Sequence, residues 1–140
     1  MHRRTFITLA ASGLILSALS FPAMAGGRIF YSPGLAEDAM TAGKVVVLDF
    51  WAKWCSTCAA QSRVIEGLRA ENPAYDQAIT FITVDWDEHA NGTLSKGLNI
   101  PRMSTLVAMN GQSEINRVIA ATSRADIKAL LDAALTAATS

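Results

Sequence analysis

Residues 45–58 read VVVLDFWAKWCSTC and contain both cysteines of the chain. The first half is a continuous apolar and β-branched run, which is typical of a strand covered on both faces. The second half ends in Cys55-x-x-Cys58, and the residues from Ala59 to Leu68 predict a helix. A dithiol between a buried strand and a helix N-terminus indicates redox chemistry, because the positive end of the helix dipole favours a thiolate.

The spacing of the two cysteines separates two interpretations of the pair. In an exported protein, two cysteines are most simply a structural disulfide. A pair with two residues between its members closes too small a loop to stabilise a fold much, so a redox-active pair is favoured. Cys55, at the start of the helix, is then the candidate nucleophile that attacks a substrate disulfide. Cys58, one turn further on, is the candidate that resolves the mixed disulfide.

The N-terminus predicts export. Residues 1–4 are basic, residues 9–21 are apolar or small, and Ala23-Met24-Ala25 has the A-x-A pattern of a cleavage site. We therefore expect a signal peptide over residues 1–25 and a periplasmic domain over residues 26–140. The alternative is an uncleaved membrane anchor, although the apolar region is shorter than the roughly 20 residues that a spanning helix needs. Arg3-Arg4 also resembles a twin-arginine export signal.

The remaining sequence predicts one domain of alternating strands and helices. Its 12 basic and 12 acidic residues show no basic excess, which argues against a nucleic-acid partner. Apolar runs, turn signals and a capping box predict strands at 28–31, 45–50, 79–85, 105–109 and 115–120 and helices at 35–40, 59–68, 94–98 and 124–135. This order predicts an α/β fold with a mixed central sheet and helices on both faces.

The segment DFWAKWCSTC, residues 49–58, resembles the active-site segment of the thioredoxin family. It has an aspartate six residues before the first cysteine, and a tryptophan directly before the pair. The element order matches over almost the whole of residues 26–140, and residues 35–58 and 97–112 are most similar to the periplasmic C-terminal domain of the bacterial transmembrane disulfide reductase. The resemblance implies a thioredoxin fold and a thiol–disulfide oxidoreductase that needs no cofactor beyond its own Cys55–Cys58 disulfide.

The segment before the third long strand departs from this family, which carries a cis-proline there. Alignment on Thr105 places Ser104 at the proline position and Met103 before it; in the alternative alignment, Pro101 is the cis-proline and an insertion follows. A cis bond before Ser104 would cost about 3–4 kcal/mol, so either the fold maintains it or the loop is trans. The resemblance implies that this loop faces the dithiol, which makes Met103 and Ser104 candidate substrate-binding residues. Trp54, directly before Cys55, is a third candidate, because it offers an apolar docking surface.

Asp49 is the third candidate catalytic residue. A carboxyl group within an apolar strand is hard to ionise, and the resemblance implies that it lies beneath the dithiol and relays a proton to or from Cys58. The alternative is an aspartate at a strand end that faces solvent. The family often places a lysine on the neighbouring strand beside this aspartate. Residues 79–84 contain no lysine, so proton transfer is expected to depend on water.

Two further expectations concern the direction of electron flow and metals. The dipeptide Ser56-Thr57 lacks the histidine of strongly oxidising relatives. For this reason, and from the resemblance, we expect a reductant of periplasmic protein disulfides that receives electrons from a transmembrane thiol donor. We also expect the protein to be a monomer. The alternative is a soft-metal site, for copper or an iron–sulfur cluster, in which His89, Met103 or Met109 assists the two cysteines. A non-catalytic binding module is a third alternative, against which the intact cysteine pair argues.

Overall fold

Six helices and four strands make up residues 27–140, the part of the chain that this computed structural model describes. The predicted signal peptide, residues 1–25, lies outside the described residues. In chain order the elements are α1 (Leu35–Thr41), β1 (Val45–Trp51), α2 (Ser56–Glu71), α3 (Ala74–Ala78), β2 (Thr80–Asp85), α4 (Trp86–His89), α5 (Thr93–Gly97), β3 (Thr105–Asn110), β4 (Ser113–Ile119) and α6 (Arg124–Thr139). Between residues 27 and 140, no helix has the length and apolar character needed to cross a membrane.

The four strands form one mixed sheet in the order β2-β1-β3-β4. β1 pairs with β2 in parallel, whereas β1 with β3 and β3 with β4 are antiparallel. The parallel pair is joined by a helical crossover, as that geometry requires. β3 and β4 are joined at Asn110-Gly111, where Gly111 adopts a φ of 57°, a conformation that glycine reaches without steric cost. The predicted mixed sheet is confirmed.

β1 is buried on both faces, and its side chains alternate between two cores. Val45 and Val47 pack with residues of α2, α3 and α6, whereas Val46, Leu48 and Phe50 pack with residues of α1 and α5. The helices therefore cover both faces of the sheet, as the uninterrupted apolar run predicted. Asp49 follows Val47 by two residues and so faces the side of the sheet on which α2 lies.

The structure differs from the predicted elements mainly outside the sheet. The predicted strand at 28–31 is only an isolated bridge between Phe30 and Thr83. Residues 86–98 hold two short helices where one was predicted, since the side chain of Asp85 accepts a hydrogen bond from the backbone of Asp87 and caps α4. The short α3, after Pro73, was not predicted.

Candidate active site

The two cysteines form a disulfide at the start of α2, with their Cα atoms 5.2 Å apart. Cys55 is the N-cap residue, and its Sγ accepts a hydrogen bond from the backbone N–H of Cys58 at 3.1 Å. Cys58 is fully buried, whereas Cys55 keeps 8% of its surface exposed. The sulfur of Cys55 thus occupies the place where the helix leaves N–H groups without an intrahelical partner, which favours a thiolate after reduction.

Apolar side chains surround the disulfide, and one aromatic stands out into solvent. Ala52 forms a buried cluster with the two cysteines, and Trp51, Trp86 and Met103 pack against this cluster. Trp54 is 62% exposed, and its indole Nε1 donates to the carboxylate of Asp87 at 2.9 and 3.1 Å. The structure therefore brings Met103 to the dithiol and holds Trp54 at the surface just before it. No sequence pattern pointed to Asp87, because its partner is 33 positions away in the chain.

The loop before β3 passes directly beside the disulfide at Ser104. The residues from 27 to 140 contain no cis peptide bond, so the alternative that Pro101 is a cis-proline is wrong, and the bond before Ser104 is trans. Ser104 instead has a φ of 61°. Its N–H donates to the carbonyl of Phe50 at 2.8 Å, and its carbonyl accepts from the N–H of Ala120 at 2.8 Å. Ser104 therefore lies in the left-handed region, which is uncommon for a residue other than glycine.

Two side chains complete the surroundings of this loop. The hydroxyl Oγ of Ser104 lies 3.2 Å from Sγ of Cys55 and 3.1 Å from Sγ of Cys58. The amide Nε2 of Gln61, on α2, donates to the carbonyl oxygens of Ser104 and Ala121, both at 3.0 Å. Gln61 is fully buried, and sequence reasoning missed it. A polar residue amid the apolar positions of an amphipathic helix was the available signal.

Asp49 is buried, with 8% of its surface exposed, so the alternative of a solvent-facing aspartate is wrong. Burial raises the pKa of Asp49 to about 7, while Arg28 lowers that pKa and Glu66 raises it. The carboxylate Oδ2 lies 3.8 Å from Nη1 of Arg28. The other oxygen, Oδ1, is buried without a hydrogen-bond partner among the described protein atoms. The carboxyl group is thus poised to change its charge near neutral pH.

Arg28 is the cation that sequence reasoning missed. It comes from the segment before α1 and not from the strand next to β1, where a lysine was sought. Its Nη2 donates to Oγ of Ser62 at 2.6 Å, and that hydroxyl donates to the carbonyl of Cys58 at 2.9 Å. Its guanidinium carbon also lies 4.9 Å from the ring centre of Trp51. Arg28 therefore links Asp49 to the backbone of the dithiol helix.

A small recess borders this polar group. Its volume is about 30 Å³, and its lining includes Arg28, Asp49, Ser62 and Glu66. That volume exceeds the roughly 10–15 Å³ that one water molecule needs, and polar atoms line it. The recess is therefore large enough for the water through which Asp49 was expected to exchange its proton.

Two of the three assisting residues of the soft-metal alternative, Met109 and His89, have other structural partners. Met109 lies in the core beneath α1, and the ring of His89 packs edge-on against Tyr31 at 4.9 Å between centroids. Within residues 27–140, no group of three or more histidine, cysteine, aspartate or glutamate side chains is arranged to hold a metal ion. Only Met103, of the three assisting residues considered, packs against the cysteines.

Comparisons with known proteins concern the family and the fold of the chain. The thioredoxin family model matches residues 35–133. A thioredoxin of Mycolicibacterium smegmatis is 29% identical over 100 residues, which cover 71% of this chain and 87% of that protein. A thioredoxin of Malassezia sympodialis is 36% identical over 78 residues, which cover 56% of this chain and 70% of that protein.

Solved structures show the same fold. The thioredoxin Mala s 13 of Malassezia sympodialis superposes with a TM-score of 0.65 at 27% identity and covers 76% of this chain and 91% of that one. Trxlp of Edwardsiella tarda superposes with a TM-score of 0.62 at 28% identity and covers 74% and 95% of the two chains. The protein has the thioredoxin fold. The chain belongs to the thioredoxin family, and it is a thiol–disulfide oxidoreductase with Cys55 and Cys58 as its redox pair.

Proposed function

We propose that this protein is exported to the periplasm and reduces disulfides of periplasmic proteins through Cys55 and Cys58. The observation that carries the proposal is the asymmetry of the pair. Cys55 caps α2, retains an exposed edge and accepts a backbone N–H, whereas Cys58 is fully buried behind it. A nucleophile must reach the substrate, and a resolving thiol must reach only the nucleophile.

In the first step, the thiolate of Cys55 attacks one sulfur of the substrate disulfide. A bond forms between Sγ of Cys55 and that sulfur, the substrate S–S bond breaks, and the other substrate sulfur leaves as a thiolate that takes a proton from water. Cys58 then loses its proton and attacks Sγ of Cys55. The mixed disulfide breaks, the second substrate sulfur leaves, and the Cys55–Cys58 bond forms. Two electrons have passed from the protein to its substrate.

Asp49 receives the proton that Cys58 loses in the second step. A carboxyl group with a pKa near 7 is ionised often enough to accept a proton at neutral pH and basic enough to hold it briefly. The recess beside Asp49 has room for a water molecule that then takes this proton from the carboxyl group. Substrate peptides dock beside Trp54, which is exposed, and Met103, which packs against the cysteines.

Electrons return to the Cys55–Cys58 disulfide from a transmembrane thiol donor. This part of the proposal rests on the resemblance of residues 35–58 and 97–112 to a periplasmic reductase domain, and on the absence of a histidine between the cysteines. A working reductant in an oxidising compartment requires such a supply, because the compartment itself provides no reducing thiol pool. The protein acts as a monomer.

The test is covalent trapping with the full chain, expressed in a Gram-negative bacterium. Cys58→Ser removes the resolving thiol and should accumulate mixed disulfides between Cys55 and periplasmic proteins, identified by mass spectrometry after acid quenching. Cys55→Ser is the matched control, since it keeps one thiol of the pair and removes the nucleophile. Fractionation should place the chain in the periplasm, with Gly26 as its first residue. Absence of trapped partners, or an uncleaved cytoplasmic chain, would contradict the proposal.

A further inference from the structure

We infer that the hydroxyl group of Ser104 is a working part of the redox centre, which donates a hydrogen bond to the thiolate of Cys55 and stabilises the reduced protein. This inference concerns the dithiol itself. It depends neither on the compartment nor on the direction in which electrons flow, so it stands or falls separately from the function proposed above.

The first observation is the geometry of three atoms. Oγ of Ser104 lies within 3.2 Å of one sulfur and 3.1 Å of the other. The sulfurs of a disulfide carry no hydrogen, so the hydroxyl is the donor in this oxidised state. Ser104 is fully buried, and among the described residues its Oγ has no hydrogen-bond partner besides these sulfurs. The hydroxyl is therefore dedicated to the dithiol.

The second observation is that the fold holds Ser104 firmly in a costly conformation. A φ of 61° is uncommon for a residue other than glycine and persists where the surroundings determine it. Here three hydrogen bonds to the backbone of Ser104 provide that constraint. Its N–H donates to the carbonyl of Phe50, and its carbonyl accepts from the N–H of Ala120 and from the side-chain amide of Gln61. Gln61 acts as a positioning residue, because it ties the loop to the helix that carries the cysteines.

The hydroxyl of Ser104 favours the reduced state because reduction turns a sulfur that it contacts into a better hydrogen-bond acceptor. A disulfide sulfur is a weak, neutral acceptor, whereas a thiolate is charged, and charge-assisted hydrogen bonds are roughly twice as strong as neutral ones. Reduction by dithiothreitol breaks the Cys55–Cys58 bond, leaves Cys55 as a thiolate and Cys58 as a thiol, and converts the reagent to its cyclic disulfide with release of one proton. The hydroxyl bond to Cys55 strengthens in this step, so Ser104 lowers the pKa of Cys55 and favours reduction.

The test compares Ser104→Gly and Ser104→Ala with the unchanged protein. Both variants remove the hydroxyl, and glycine accepts a positive φ without steric cost, so it carries the test if the alanine variant does not fold. The readouts are the pKa of Cys55, from thiolate absorbance of the reduced protein, and the equilibrium with dithiothreitol, from alkylated thiols. We expect the pKa to rise by about one unit. We also expect the equilibrium to shift about tenfold toward the disulfide, a potential about 30 mV lower.

Ser95→Ala is the matched control. Ser95 is also buried, but its hydroxyl donates to the backbone of His89 at 2.7 Å, so both readouts should stay unchanged. A purely structural role for Ser104 would alter the melting temperature and leave the thiol pKa and the equilibrium where they were. The inference is wrong if a folded Ser104 variant keeps the acid dissociation constant of Cys55 and the equilibrium constant with dithiothreitol within twofold of the unchanged protein. It is also wrong if Ser95→Ala shifts the two constants equally.

Discussion

Arg28 and Asp49 form the charged pair on which proton transfer depends. Desolvation is the dominant influence on Asp49 and raises its pKa, whereas the guanidinium 3.8 Å away opposes that rise. Glu66 also lies 3.8 Å from the guanidinium of Arg28 and pushes the pKa of Asp49 upward. The pKa near 7 is thus a balance, and Arg28 is the only one of these three influences that favours the ionised carboxylate.

Arg28→Met should slow the resolution of mixed disulfides at neutral pH. Methionine keeps much of the length of the side chain and removes the charge, so the pKa of Asp49 should rise by about one further unit. At pH 7 the ionised fraction, and with it the resolution rate, should fall about fivefold. The measurement is a pH profile of single-turnover release of a fluorescent thiol from the mixed disulfide with Cys55.

Two variants make this result specific. Asp49→Asn should abolish the inflection near pH 7 and lower the rate throughout, since the proton acceptor is gone. Arg124→Met removes a surface arginine of α6 that pairs with Glu71. Glu71 is at the end of α2 opposite to Cys58, so this variant should leave the pH profile unchanged. An inflection that stays near pH 7 in Arg28→Met would show that Arg28 does not set the charge of Asp49.

At this scale the sequence allowed prediction of residues within one segment, and the family resemblance brought Met103 and Ser104 to the site, but the other residues that meet across segments were missed. Burial of Asp49 and the order of the two cysteines followed from the run around β1. Arg28 lies 21 positions before Asp49 in the chain, and Gln61 lies within α2. Each meets its partners only after the sheet has folded. A single cation near the N-terminus carries no periodic signal that would assign it to the site.

The loop before β3 has Ser104 where the resemblance to the thioredoxin family implies a proline. A proline at position 104 would match the family pattern, but it does not suit the backbone of this loop. Here the residue has a φ of 61°, whereas proline is restricted to about −65°, and the N–H that Ser104 donates to Phe50 would be lost. The loop of this protein is built around a residue that is not proline.

Ser104→Pro should therefore destabilise the protein, by about 1–3 kcal/mol, in spite of matching the family pattern. Urea denaturation of the oxidised protein measures the loss. Arg102→Pro, in the exposed part of the same loop, is a comparison variant whose effect should be smaller, because its backbone N–H has no partner among the described hydrogen bonds. A Ser104→Pro protein as stable as the parent would mean that the loop adopts the cis form readily.

Long elements with periodic apolar residues were predicted well, and short ones were not. β1, α2 and α6 follow from uninterrupted or amphipathic runs, and Ser123 caps α6 through the backbone N–H of Asp126 as expected. α3 and α4 have five and four residues, and helices of that length are unstable alone. α4 is capped by the side chain of Asp85, whereas α3 has no side-chain cap and packs against α6. Their apolar content is too small to show a period.

At the scale of the whole molecule, the buried carboxyl group couples function to stability. Below about pH 4, Asp49 is protonated in both the folded and the unfolded state. Between about pH 4 and pH 7 the unfolded chain releases this proton and the folded protein keeps it, since burial raises the folded pKa to about 7. The folded state then binds more protons, so the free energy of unfolding falls as pH rises through this window. Above about pH 7 Asp49 is ionised in both states, and the loss in the free energy of unfolding stays constant.

Other shifted groups among the described residues titrate outside that window. Tyr31 and Tyr75 have pKa values raised to about 12, and hydrogen bonds from Lys128 and Tyr75 hold the pKa of Asp132 below its usual value of 3.8. The tyrosines therefore affect stability only in alkaline solution and Asp132 only below about pH 4. The interval from pH 4 to pH 7 isolates the contribution of Asp49 among these groups.

Asp49→Asn should consequently flatten the pH dependence of stability while it impairs the chemistry. The full penalty of the ionised carboxylate is on the order of 4 kcal/mol, from about three pKa units at 1.4 kcal/mol each. Domains of this size are stable by about 5–15 kcal/mol, so the carboxyl group carries a substantial cost for its function. Urea denaturation of the oxidised parent and of oxidised Asp49→Asn at several pH values measures how the free energy of unfolding of each protein changes with pH. If the two proteins lose stability in parallel from pH 4 to pH 7, Asp49 does not keep its proton in the folded state.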